Sequence, residues 1–305
     1  MNLAASEPVL IGIDWGTSSL RAFLIGAGGE VLDQVSKPEG IMHIKNGDFE
    51  GSFRDLIGPW GAAFGLPVVA SGMITSRNGW IETPYVSVPS GVQDLANALV
   101  THRMSDGTEV TFVTGMTTDH GGTPDVMRGE ETQIIGASAL GMSDGVFVLP
   151  GTHSKWVTVC DNRIENYSTF MTGEVFAALR QHTILATLIE DGPFHEGAFR
   201  MGCAAGLAEG SKLLHDLFGV RTLPLFGKIT GSMVEDYLSG LLIGTEIKGT
   251  DDALIGGPVI IVGRDDLADR YEIALNAAGL KTKRAPDDIV AKGHFLIAQA
   301  AGLLS

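Results

Sequence analysis

The chain has 305 residues, 44% of them hydrophobic and 19% charged, with a formal net charge of −15. That length and apolar content support two domains or one large one with a full core, and the charged fraction is too low for a disordered chain. The acidic balance argues against nucleic acid or an anionic membrane as partner, and no apolar run approaches the roughly 20 residues of a membrane span. Any anionic substrate must therefore be held by local positive groups. The first eight residues lack a basic and then apolar leader pattern, so no signal peptide is expected. Cys160 and Cys203 form neither a disulfide framework nor a zinc pattern. Cys160 reads as core, and a reduced cytosol is the simplest compartment.

Taken in chain order, residues 9–14, 18–25 and 30–36 read as three strands, the last two joined by the hairpin signal Gly26-Ala27-Gly28-Gly29. Phe49, Phe53, Leu56, Ile57, Trp60 and Phe64 recur at three- and four-residue spacing, which predicts an amphipathic helix over 48–64. A short buried strand follows from Pro67, then a helix near 90–100 and a strand at 109–115. The second half opens the same way, with strands at 145–149, 155–160 and 163–169 and a long helix from Glu174 to about Ile189. Further helices are expected at 198–218, 232–247 and 265–278, a buried strand at 258–263, and a last helix from Asp287, a plausible N-cap, to about Leu303. The Gly/Thr/Pro/Asp-rich stretch 115–125 is the best candidate for a boundary.

Two turns interrupt these strands in the same way. Gly16-Thr17-Ser18-Ser19 and Gly151-Thr152-His153-Ser154 each follow an apolar strand and precede another. A glycine with small hydroxyl residues makes a tight turn whose backbone N–H groups can lie against phosphate oxygens. Two copies suggest a duplicated fold gripping one phosphate chain. Asp14 stands two residues before the first turn, where it either holds a hydrated Mg²⁺ or simply caps the turn. Only one half carries the acid, because Leu149-Pro150 occupies the matching place. Arg128-Gly129-Glu130-Glu131-Thr132-Gln133 precedes a small-residue helix. Its acids either complement the helix dipole or include a general base. The loop 71–85 follows a buried strand, the place where α/β folds bind ligands. Arg77, Asn78 and Glu82 in it suit a polyhydroxy acid, and Ser71, Tyr85, Arg21 and Arg128 join them as substrate candidates. His153 and Lys155 flank the second turn, and Lys155 is a candidate anion contact. The strand ending at Gly263 could pack a nucleoside.

The run from Asp14 to Arg21 resembles the first phosphate motif of the superfamily of actin, heat-shock chaperones and sugar kinases. Gly151-Thr152-His153-Ser154 resembles the second, and residues 256–263, with Gly256, Gly257 and Gly263, stand at the adenosine motif. Within that superfamily the chain is most similar to the 2-dehydro-3-deoxygalactonokinase family. The similarity lies in Asp125 to Gln133, Leu149 to Val157 and Glu235 to Gly244, inside a resemblance running from about residue 9 to 303. It implies two duplicated ribonuclease-H-like α/β domains with a central cleft, 1–122 and 123–305. It also implies cytoplasmic, ATP- and Mg²⁺-dependent phosphorylation of 2-dehydro-3-deoxy-D-galactonate on its 6-hydroxyl, with a homodimer possible. On the same ground the two turns hold ATP phosphates and Asp14 organises Mg²⁺. The Gly-Asp pair that supplies the base in related sugar kinases corresponds to Gly129-Glu130, with Glu131 the alternative, and Arg77 and Lys155 are candidates for the substrate carboxylate. The rival expectations are a kinase for another sugar or sugar acid and a non-catalytic, nucleotide-gated binding protein.

Overall fold

The computed structural model describes residues 7–63, 65–250, 257–286 and 288–304. Three antiparallel strands open the chain: β1 (Pro8–Trp15), β2 (Leu20–Gly26) and β3 (Val31–Lys37). Gly29, at φ +75°, closes the hairpin between β2 and β3, with its N–H donating to the Gly26 carbonyl at 2.8 Å. Helix α1 (Phe49–Ile57) starts where the Asp48 carboxylate accepts the Gly51 N–H, and it buries Phe53, Leu56 and Ile57. Strand β4 (Val68–Ser71) runs parallel to β1, in register from Ile11–Val68 to Asp14–Ser71. There follow β5 (Tyr85–Ser87), α2 (Val92–Asn97), β6 (Val100–Arg103), β7 (Glu109–Phe112), β8 (Gly115–Asp119), β9 (Pro124–Met127) and α3 (Glu130–Ser138).

The second half brings β10 (Gly145–Leu149), β11 (Ser154–Cys160), β12 (Arg163–Phe170), α4 (Thr172–His182), α5 (Glu196–Leu207), α6 (Leu213–Leu225) and α7 (Gly231–Lys248). It ends with β13 (Val259–Ile261), α8 (Asp265–Ala277), β14 (Thr282–Arg284) and α9 (Ile289–Ala300). One sheet has the order β3-β2-β1-β4-β7-β6 and another β12-β11-β10-β13-β14, so the same opening order, third-second-first-fourth, occurs twice. A third, small sheet is β5-β8-β9.

The chain divides into two units. The first comprises Met1–Asp144, Val159–Tyr167 and Pro286–Ser305, the second Gly145–Thr158 and Ser168–Ala285. The sequence-read boundary at 122/123 falls inside the first unit, and the stretch 115–125 is there a β8–β9 hairpin. In the first unit the core gathers Ile11, Ile13, Trp15, Phe53, Leu56, Ile74 and Phe112. Helices α3 and α9 meet backbone to backbone: a methyl group on Gly136 would collide with the Ile289 carbonyl, and one on Gly293 with the Thr132 carbonyl. In the second unit α5 and α7 approach each other in the same manner, Gly202 against Tyr237 and Gly240 against Phe199. This is why the run Glu235 to Gly244 carries two glycines four residues apart.

Several sequence expectations are corrected. The helix over 48–64 is α helix only to Ile57, continues as a 3-10 turn over Gly58–Ala63, and its Phe64 lies outside the described residues, as does Asp287. The single helix over 198–218 is two, α5 and α6, separated where Gly210 takes φ +74°. The helix from Glu174 to Ile189 stops at His182, where Thr183 turns extended and caps a short 3-10 helix over Ile184–Leu188. Cys160 is exposed at the end of β11 rather than core, and Cys203 is buried.

Candidate active site

In the first unit β1 and β4 bring Asp14 and Ser71 side by side at their carboxyl ends. Arg21, on β2 opposite Asp14, donates Nη2 at 2.6 Å and Nε at 3.2 Å to Asp14 Oδ2. This fork fixes one carboxylate oxygen and leaves Oδ1 on the side of Gly72, 3.3 Å from where a Cβ on that glycine would stand. The turn 16–19 closes with the Gly16 N–H donating to the Ser19 carbonyl at 2.9 Å, and Thr17, Ser18 and Ser19 are exposed. Gly40 lies directly behind it, where any side chain would strike the Thr17 carbonyl and the Ser18 nitrogen.

Gly72 takes φ +97° and Gly129 φ +110°, a backbone region that favours glycine. The two touch: a Cβ on Gly129 would sit 3.0 Å from the Gly72 Cα. Past Gly129 the chain enters α3, so Glu130 and Glu131 stand in its first turn, beside the end of β4. Their surroundings differ. Glu130 is half-buried and its Oε2 accepts the Arg128 N–H at 3.0 Å. Glu131 is fully buried, accepts the Gly129 N–H on both oxygens at 2.7 and 2.9 Å, and accepts Thr132 Oγ1 at 3.2 Å. Burial, aided by the neighbouring Glu130 charge, raises the Glu131 carboxyl to about 7 despite those donors.

The loop 71–85 folds back on itself. Trp80 and Thr83 donate their N–H groups to the carbonyls of Ile74 and Thr75, and Trp80 packs among Phe49, Phe53, His102 and Phe112 with ring centroids 5.5–6.1 Å apart. Arg77, Asn78, Glu82 and Tyr85 are exposed on it. Arg128 is buried instead, its guanidinium bonded to the backbone and hydroxyls of Thr75 and Thr83 at 2.5–3.0 Å and 4.2 Å from the Tyr85 ring centroid. It ties the loop to the strand that leads into Glu130. Ser71 is also fully buried, with Oγ 2.8 Å from His294 Nε2 of α9. Burial, and secondarily the Arg21 charge, lowers the His294 imidazole to about 3, so it is neutral.

In the second unit the turn 151–154 exposes Thr152 and His153, and His153 Nε2 lies 2.6 Å from Glu174 Oε2. Ser154 and Lys155 are buried, and Ser154 Oγ donates to Glu246 at 2.8 Å. Gly173 backs this turn as Gly40 backs the first, against the Gly151 carbonyl. Strand β13 runs parallel to β10, and Gly263 beyond it lies next to Pro150, its Cβ position 3.6 Å from the proline ring. Gly257 is exposed before β13, and Gly256 lies outside the described residues. Sequence reasoning passed over Gly40, Gly173, His294 and Glu246. The two glycines follow the third strand of each half, a shared position that comparing the halves could have revealed; the other two carry no local signal.

A family model described as 2-keto-3-deoxy-galactonokinase matches residues 14–297. A protein of Rhizobium meliloti (strain 1021) named "Probable 2-dehydro-3-deoxygalactonokinase" is 35% identical over 297 residues, covering 94% of this chain and 96% of that one. A 2-dehydro-3-deoxygalactonokinase of Escherichia coli (strain K12) is 33% identical over 270 residues, 88% of this chain and 90% of the other. The crystal structure of "a putative 2-dehydro-3-deoxygalactonokinase protein" from Sinorhizobium meliloti superposes with a TM-score of 0.87 at 33% identity, covering 95% and 98% of the two chains. The fold is that of actin-like ATPases and sugar kinases.

Proposed function

The chain belongs to the 2-keto-3-deoxy-galactonokinase family, and we propose how its residues carry out the ATP-dependent phosphorylation of 2-dehydro-3-deoxy-D-galactonate in galactonate breakdown. Glu130 accepts the proton of the substrate 6-hydroxyl as that oxygen bonds to the γ-phosphorus of ATP and the bond from phosphorus to the β-phosphate oxygen breaks, releasing ADP. The observation that supports this most is the meeting of Asp14, Gly72 and Gly129-Glu130 at the carboxyl ends of β1 and β4. Of the two acids, Glu130 is the half-buried one and can meet a hydroxyl, whereas Glu131 is enclosed and holds the Gly129 N–H. Glu131 therefore positions Glu130 by fixing the residue before it.

The turns 16–19 and 151–154 each offer backbone and hydroxyl groups to phosphate oxygens. Because Ser154 Oγ is committed to Glu246, Thr152 is the hydroxyl available in the second turn. Arg77, Asn78, Glu82 and Tyr85 present polar groups to the sugar acid from the loop 71–85, which Arg128 steadies. Lys155 is buried beside the second turn, where its charge favours an anion. The donor set at Asp14 fits Mg²⁺, which keeps most of its waters and asks for one or two carboxylates: Oδ2 is held by Arg21 and Oδ1 remains for the ion. When bound, Mg²⁺ neutralises phosphate charge. Among the described residues no helix is long and apolar enough to cross a membrane, and both cysteines are free thiols, in keeping with a cytoplasmic enzyme. A homodimer is part of the same proposal and is read by light scattering.

An assay of ADP release over a panel of sugar acids tests the reading. Strong turnover with 2-dehydro-3-deoxy-D-galactonate and weak turnover with its isomers is the expected result. Fast ATP hydrolysis that ignores every acid would overturn it.

A further inference from the structure

Glu246 lies near the carboxyl end of α7, outside both turns, and is buried. Its side chain is a meeting point of the second unit. Ser154 Oγ and Trp156 Nε1 both donate to Oε1, at 2.8 and 2.7 Å, and Tyr271 Oη donates to Oε2 at 2.8 Å. The Thr172 side chain is a fourth hydrogen-bond partner. All four partners can donate, which suits a group that only accepts. Burial pushes the Glu246 carboxyl up, and the four hydrogen bonds act against it.

These partners surround the turn 151–154. Ser154 is its last residue and Trp156 follows on β11. Thr172 begins α4 and precedes Gly173, which packs on the Gly151 carbonyl and on Thr152. Glu174 N–H then donates to the Thr152 carbonyl at 2.9 Å. One carboxylate thus holds the end of the turn and the helix start that backs it. Helix α7 is itself fixed, because Gly240 and Gly244 bring it against the backbone of α5. The first turn is built differently: Ser19, the counterpart of Ser154, is exposed, whereas Ser154 is fully buried.

We infer that Glu246 is a positioning residue for the second turn, setting residues 151–154 in the conformation that receives nucleotide phosphate. The inference rests on the reading of that turn as a phosphate site. Its test is steady-state kinetics with ATP and the sugar acid varied separately, together with thermal melts, on Glu246→Gln, Glu246→Leu, Ser154→Ala and Gly151→Val. The last variant probes the turn directly, since a Cβ on Gly151 meets nothing nearer than 3.9 Å, and its thermal melt reports whether the larger side chain is accommodated. Gln keeps an oxygen for Ser154 and Trp156 and turns its amide to Tyr271 Oη, so KM for ATP stays within about threefold of wild type. Glu246→Leu raises KM for ATP about tenfold or more and leaves KM for the sugar acid within about twofold. Ser154→Ala, which removes one donor and no packing, raises KM for ATP about threefold or more and decides the matter if the Leu variant does not fold. If Gly151→Val raises KM for ATP while Glu246→Leu and Ser154→Ala do not, or if they shift both KM values alike, the turn reading stands and the role of Glu246 is wrong. If Gly151→Val also leaves KM for ATP unchanged, the phosphate reading fails and the inference with it.

Discussion

Glu130 and Glu131 are adjacent in sequence and yet occupy opposite situations, and the difference can be measured. Glu130→Gln is expected to lower kcat by roughly 10²–10⁴ with KM for ATP unchanged, the loss typical of a general base. Glu131→Gln should cost less turnover but change the pH dependence of stability. The folded protein holds the Glu131 proton more tightly than the unfolded chain does, with the carboxyl raised from 4.5 to about 7. This group therefore stabilises the fold fully below about pH 4.5, and the contribution, roughly 3 kcal/mol, is lost as pH rises through about 7. Melting curves of Glu131→Gln across that window should be flatter than those of the wild type; parallel curves would mean that Glu131 stays ionised. Asp14→Asn should keep the melting temperature within a few degrees and lose at least about 100-fold in kcat, because the carboxylate offered to Mg²⁺ is gone and the charge on Arg21 is left unmatched. Turnover near wild type at saturating Mg²⁺ would reduce Asp14 to a turn cap. At this scale the residue types of the candidate site were readable, since Asp14, the two turns and Glu130 stand in local motifs. Their burial was not. Ser71 and Ser154 look like loop hydroxyls in sequence, and only His294 and Glu246, each more than 90 residues downstream or 200 in the first case, show where those hydroxyls go.

Glycines decide how closely the elements approach. Gly240 lets α7 lie on the Phe199 carbonyl of α5, where no side chain fits. Gly240→Ala must push two buried helices apart, an overpacking that costs about 1–3 kcal/mol or more. A lowered denaturation midpoint with unchanged slope is the expected outcome, and an unchanged midpoint would show that the helices can yield. The same logic makes Gly40→Ala a probe of the first turn, since its methyl meets the Thr17 carbonyl rather than a movable side chain. Elements with strong periodicity, such as β1, α1 and α7, were visible in sequence. The short strands β4, β7 and β13 are buried and show as apolar runs, whereas β5, β6 and β14 are equally short but largely exposed and offer no such run. Leu207, Leu214 and Leu217 keep a helical spacing on either side of the polar stretch Glu209 to Lys212, so the break between α5 and α6, set by the positive φ of Gly210, leaves little trace in the apolar pattern.

The duplication is the property of the whole chain that its sequence announces best, because each half repeats a strand, a Gly-Thr-X-Ser turn and two further strands in the order β3-β2-β1-β4 and β12-β11-β10-β13. The division into units is not announced. Helix α9 belongs to the first unit through Gly293 on α3 and His294 against Gly12 of β1, contacts that span more than 150 residues and leave no local trace. Charge is the other property of the whole chain, and it carries a prediction. A net charge of −15 repels both a sugar acid and ATP at long range. Local cations, Arg21 in the first unit and Lys155 in the second, act at short range, and Lys155 is buried and thus weakly screened. Raising ionic strength from about 0.01 to 0.1 M shortens the screening length from about 30 to 10 Å, which removes the long-range repulsion first. At fixed Mg²⁺, kcat/KM for the sugar acid should therefore rise with KCl over that range, by about twofold or more, and level off beyond it. A fall over the same range would show that exposed cations such as Arg77 attract the substrate more strongly than the whole chain repels it, and would favour Arg77 over buried Lys155 as the carboxylate contact.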